Sequence, residues 1–145
     1  MNNLGVLGAN LLLGITALGA GIGIMIAGAA TIGAWKKCYN QKKAAPMLLL
    51  AFTGNPLTQV LYAYVLMGAV RTAAIANPAN GLAYLGLCAA SALALAGTAY
   101  AQGKIAACAV ETLVDTGKGF AQFYIVMGIA ETVALFTLVF SMGAL

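Results

Sequence analysis

From Met1 to Trp35 the chain carries no charged side chain. In water a helix of that length needs a polar face, and none is available here. In a bilayer about 20 predominantly apolar residues are enough to span the hydrocarbon core. The pattern then repeats. Ala44 to Val70 is uncharged, Thr72 to Gly103 is uncharged, and Gly119 to Leu145 contains one charge, Glu131. Charged residues make up only 7% of the chain, against about 25% in an average soluble domain. A soluble globular domain, a disordered tail and a secreted disulfide scaffold are excluded. The expected fold class is an all-α membrane protein with four transmembrane helices.

The punctuation between the runs sets their order. Lys36-Lys37-Cys38-Tyr39-Asn40-Gln41-Lys42-Lys43 reads as a polar loop, and Pro46 suits the first turn of the next helix. Asn77-Pro78-Ala79-Asn80-Gly81 contains Asn-Pro and Asn-Gly turn signals. Asp115-Thr116-Gly117-Lys118-Gly119 reads as a tight polar turn. The helices are expected at about 4–35, 44–73, 82–113 and 119–145, as two tandem hairpins covering 1–76 and 77–145. The first run lacks a basic n-region and exceeds the 7–15 residues of a signal-peptide core, so it is expected to be a retained helix. Four lysines in the first connection predict that loops 36–43 and 114–118 are cytoplasmic and that both termini lie outside. Arg71 falls on the outer side, near a helix end where it can snorkel.

A weak internal repeat supports the hairpin division. Gly54, Thr58, Leu61 and Val65 align with Gly128, Thr132, Leu135 and Val139, and Gly19 aligns with Gly97. The first helix is glycine-rich, with Gly14, Gly21 and Gly28 seven apart on one face. Small residues let membrane helices approach closely. One reading is an ordinary tight helix pair. The sharper reading is an inner wall of identical helices crowded around an axis.

The chemistry concentrates at one depth. At about 1.5 Å per residue, Glu131 lies roughly 20 Å from Lys118, near the bilayer midplane. A carboxyl at that depth is costly and marks a functional site by default. By the same count Gln59 and Gln102 are about 22 Å and 18 Å from the cytoplasmic ends of their helices. Thr58 and Tyr62 share a face at i, i+4, and Asn55-Pro56 disturbs the helix beside them. One carboxylate, two amide oxygens, two hydroxyls and a freed carbonyl form an all-oxygen set with one negative charge. That set suits a hard monovalent cation better than a transition metal or a divalent ion. Each amide on its own is equally well explained as an interhelical hydrogen bond, but the agreement in depth with Glu131 favours a site; a protonated Glu131 bonded to a neighbouring helix is the lesser reading.

Other residues read more plainly. Cys38, Cys88 and Cys108 have no metal or redox spacing, and no disulfide is expected. Lys104 can snorkel to the cytoplasmic face, and Glu111 and Asp115 read as solvated interfacial charges. No basic patch is interleaved with aromatics, so no nucleic-acid partner is expected. There is no phosphate loop and no nucleophile–base pair, so no ATP-hydrolysing site is expected.

Three short motifs resemble a known family. Pro56-Leu57-Thr58-Gln59-Val60-Leu61-Tyr62, Ala101-Gln102-Gly103-Lys104 and Ala130-Glu131-Thr132 look like the proteolipid subunit of bacterial V-type ATPases, and more narrowly its sodium-translocating branch. The resemblance implies a homo-oligomeric rotor ring turned through central-stalk subunits by a soluble ATP-hydrolysing sector. It implies a stator membrane subunit whose essential arginine displaces the ion, a multi-pass place in the cell membrane, and membrane lipids around the ring. The family ligands carry over to Thr58, Gln59, Gln102 and Glu131 for Na+, with the backbone carbonyl of Asn55, while Tyr62 bonds the carboxylate. Asn55 departs from the family, where that position is often apolar. In the repeat, Leu57 falls where Glu131 falls, so each four-helix unit is expected to carry one ion. That favours pumping against a steep gradient, and an ion-to-ATP ratio matching two ions per four-helix unit contradicts it.

Alternatives stay open at this point. The same rotor protein could carry H+, with protonated Glu131 bonded to Tyr62 or Gln59. A small four-helix proton-coupled exporter has the right size, but carries its glutamate in the first helix. A structural pore has no need for the depth-matched Gln59, Gln102 and Glu131.

Overall fold

The computed structural model describes residues 4–145, and every regular element among them is helical. Four stretches are long and apolar enough to cross a membrane: Leu4–Asn40, Met47–Ala76, Pro78–Thr116 and Phe120–Gly143. They are called the first to fourth spans. The first runs on to Asn40, so residues 36–40 are helical where a loop was expected. Lysine is a good helix former, and Lys37 pairs with Asp115 of the third span at that end. Asp115 is therefore an ion-pair partner as well as an interfacial charge. Trp35 donates its indole N–H to the carbonyl of Pro46 (2.9 Å), which ties the second span's entry back to the first.

The second span is not one continuous α-helix. An α-helical turn, Leu50–Gly54, passes into a 3-10 turn over Asn55–Leu57 before the α-helix resumes at Thr58–Ala76. Pro56 lacks the N–H that an α-helix needs there, and the tighter 3-10 geometry absorbs the defect. The third span ends at Gly117, whose left-handed backbone (φ 68°) caps it, and Gly119 (φ 95°) turns the chain into the fourth. Non-glycine residues are disfavoured in that region.

The closest packing joins the first span to the third, across the two hairpins. Without a hydrophobic drive between helices in lipid, that contact rests on van der Waals fit and small residues. A Cβ on Gly103 would overlap the carbonyl oxygen of Gly23, and one on Gly19 would sit 2.5 Å from the Cα of Ala96. Gly5, Gly8, Gly19 and Gly23 form the packed face of the first span. Gly14 and Gly21 lie on roughly the opposite face, and a Cβ at either meets nothing within 4 Å. The second and fourth spans lie against the first–third pair and touch each other. Side-chain hydrogen bonds cross several of these contacts: Thr31 to Thr53 (2.8 Å) and Ser91 to Ser141 (2.9 Å).

Two apolar clusters fill the interior. One gathers Leu12, Leu66, Val70, Cys88, Leu95 and Leu138. The other gathers Leu49, Phe52, Ala106, Val110 and Met127. Between them lies a layer that contains the second-span break and the Gly23–Gly103 contact, with Gln59 and Gln102 buried in it.

Candidate functional site

The interlayer holds polar groups because each of four helices contributes a feature there. The 3-10 turn of the second span places Pro56 against the first span, where a Cβ on Gly23 would come within 3.0 Å of the proline Cβ. Gly23 also meets Gly103, so the break, Gly23 and Gly103 share one level. Gln102 is next to Gly103 in the chain and fully buried. Gln59 follows the break and is likewise fully buried.

Glu131 of the fourth span is half-buried and accepts a hydrogen bond from the Tyr62 hydroxyl at 2.8 Å. Thr58 makes two contacts. Its hydroxyl lies 3.0 Å from the Asn55 carbonyl oxygen and 3.1 Å from Oε1 of Gln59. The structure thus joins Asn55, Thr58 and Gln59 into one string on the second span, and joins Tyr62 to Glu131 across the seam with the fourth. Gln102 is joined to none of them by a hydrogen bond. Its Oε1 and Nε2 have no partner, and neither does Nε2 of Gln59. Buried amides without partners cost about 1–3 kcal/mol each and call for an explanation.

An oxygen-rich layer of this kind can do two things. It can strip and hold a small cation through carboxylate, amide and hydroxyl oxygens, or it can hold a proton on the carboxyl. It offers no nucleophile–base pair. Among the described residues no group of three or more His, Cys, Asp or Glu could hold a metal ion.

Tyr124 is a neighbour that sequence reasoning missed. Its hydroxyl lies 3.4 Å from Oδ1 of Asn55. The signal was available. Tyr124 and Asn55 stand two helical turns before Glu131 and Tyr62, so the two pairs share one seam.

Residues 85–143, covering most of the third span and the fourth, match the family model for the C subunit of ATP synthase. Gln102, Tyr124 and Glu131 lie inside the matched stretch, and Asn55, Thr58, Gln59 and Tyr62 lie before it. No curated protein matches the chain. Four apolar spans together with this match make the chain a multi-pass membrane protein.

Proposed function

We propose that the chain is an ion-carrying rotor subunit of a rotary V-type ATPase, binding one Na+ at Glu131. The observation that carries this reading is Gln102. A fully buried amide with both polar atoms unpartnered, next to the Gly103 that packs on Gly23, is poorly explained as packing. A cation gives its oxygen a partner, because Gln102 Oε1 then donates its lone pair to the ion. Oε1 of Gln59, the Thr58 hydroxyl and the Asn55 carbonyl are the further oxygens, and Glu131 supplies the charge. Tyr62 holds one carboxylate oxygen, leaving the other for the ion.

The mechanism follows from the cost of a bare carboxylate in lipid. Glu131 facing the hydrocarbon must be neutralised by a bound cation or proton. Facing a stator protein with a fixed arginine and an aqueous path, the empty anion is favoured and the ion leaves. The rotor then turns only when loaded on its lipid side. Assembly into a homo-oligomeric ring fits the open Gly14–Gly21 face and the fourth span, of which only 17% is buried within the chain. Central-stalk subunits would grip the end that carries Lys37 and Asp115, taken as cytoplasmic because four lysines cluster there. The cell membrane is the location this reading requires.

Carbodiimide labelling of Glu131 tests the ion directly, since the reagent needs the protonated acid. In purified protein at fixed pH, sodium is expected to block labelling, while equal potassium or choline does not. Labelling that follows pH and ignores sodium overturns the sodium reading in favour of a proton carrier.

A further inference from the structure

The seam between the second and fourth spans carries two side-chain ties. Tyr62 bonds Glu131 at 2.8 Å, and Tyr124 bonds Asn55 at 3.4 Å. The partners in each pair are 69 residues apart. Seven residues separate the ties on both helices, which is about two turns, or roughly 10 Å, along each. Thr58 and Gln59 lie between the ties on one wall. Gly128 lies between them on the other, and a Cβ there would meet nothing within 4 Å.

Tyr124 is held in place from the side. Its ring stacks on Phe120 (centroids 5.5 Å, 26°) and leans on Phe52 (5.6 Å, 60°), while Phe52 and Phe120 meet edge to face (5.3 Å). Phe52 belongs to the second span and Phe120 to the fourth, so the aromatic cluster itself bridges the seam. Asn55 is the first residue of the 3-10 turn, and its backbone carbonyl already receives the Thr58 hydroxyl. The same residue therefore faces the ligand string with its backbone and the fourth span with its side chain.

We propose that the Asn55–Tyr124 pair is a positioning and specificity device that sets the width of the cation site. Two walls pinned at one point can pivot, and two walls pinned at two points cannot. Selectivity among hard cations depends on cavity size and rigidity. The Tyr62–Glu131 tie cannot serve alone, because Glu131 must change partners each time an ion is released. The Asn55–Tyr124 tie involves no ligand side chain, so it persists through that step and keeps Thr58 and Gln59 at their spacing from the fourth span for reloading. This rests on Glu131 being a cation site.

The test is a double-mutant cycle in the purified, assembled protein, read by carbodiimide protection with sodium and with lithium. Tyr124→Phe removes one hydroxyl and keeps the aromatic cluster. Asn55→Ala removes the amide and keeps the backbone carbonyl. Each is expected to weaken sodium protection about threefold to tenfold, the range of one neutral hydrogen bond. The sodium-to-lithium ratio should fall with it, and the double variant should lose no more than either single one. Full affinity and an unchanged ratio in Tyr124→Phe overturn the positioning role while leaving the sodium site intact. Weaker protection with an unchanged ratio and additive losses also overturns it, since that is general loosening. Absence of sodium protection in the unmutated protein removes the cation site and this inference together.

Discussion

Glu131→Gln is expected to abolish coupled ion transport by the assembled complex while leaving the four-helix fold in place. Glutamine has nearly the shape of glutamate and still accepts a hydrogen bond from Tyr62, so the Tyr62 tie at 2.8 Å has a replacement acceptor. The charge is what disappears. Glu131 is the one acidic side chain well inside a span, since Glu111 and Asp115 lie near the end of the third. A unit charge a few ångströms from a cation is worth on the order of 4 kcal/mol at an effective dielectric of about 20, or about a thousandfold in affinity. On the proposed rotor mechanism the neutral amide also removes the alternation between loaded and empty states, because it has no anion for a stator arginine to attract. Tyr62→Phe gives the scale of a lesser change. It leaves the charge and removes one charge-assisted hydrogen bond, for roughly a tenfold to hundredfold loss of affinity. Sodium uptake into vesicles and carbodiimide labelling read both variants. Transport surviving in Glu131→Gln would remove Glu131 from the pathway.

Depth along a membrane helix is linear in residue number, so counting from the charged ends sets Gln59, Gln102 and Glu131 at one expected level, and the fold buries both glutamines. The break at Asn55-Pro56 was legible for a similar reason, since proline acts locally. What the sequence did not disclose was rotation and partner choice. The first helix has small residues on several faces. Only the fold shows that Gly5, Gly8, Gly19 and Gly23 pack within the chain while Gly14 and Gly21 face away. The dominant contact between the first and third spans is non-local, and a hairpin reading by itself points to sequential neighbours. The end of the first helix extends past its expected limit because lysines suit a helix as well as a loop. In the fold Lys37 remains helical and reaches Asp115. Tyr124 was passed over because an aromatic in a span reads as packing, although its seven-residue spacing from Glu131 matches that of Asn55 from Tyr62.

Gly103 tests the scaffold as Glu131 tests the chemistry. Gly103→Ala is expected to cost at least about 3 kcal/mol, at the upper end of core overpacking. The added Cβ would overlap the carbonyl oxygen of Gly23 and lie 2.5 Å from its Cα. Both are backbone atoms, so no side chain can swing aside, and the first and third spans must separate. Separation has a second consequence. Gly23 is also the contact for Pro56, and Gln102 adjoins Gly103, so widening this crossing moves the proposed second-span ligands and Gln102 apart. The loss should therefore appear twice, as a lower detergent-denaturation midpoint and as weaker sodium protection in the fraction that still folds. Gly21→Ala is the internal control. Its Cβ meets nothing within the chain, so the isolated protein should fold as before. If copies crowd around an axis on that face, the defect should appear only in the yield of assembled ring. Equal stability of Gly103→Ala and the unmutated chain would show that the first–third crossing is looser than its geometry requires. A fully assembled ring from a bulkier Gly21→Leu would place the copy-to-copy contact on another face.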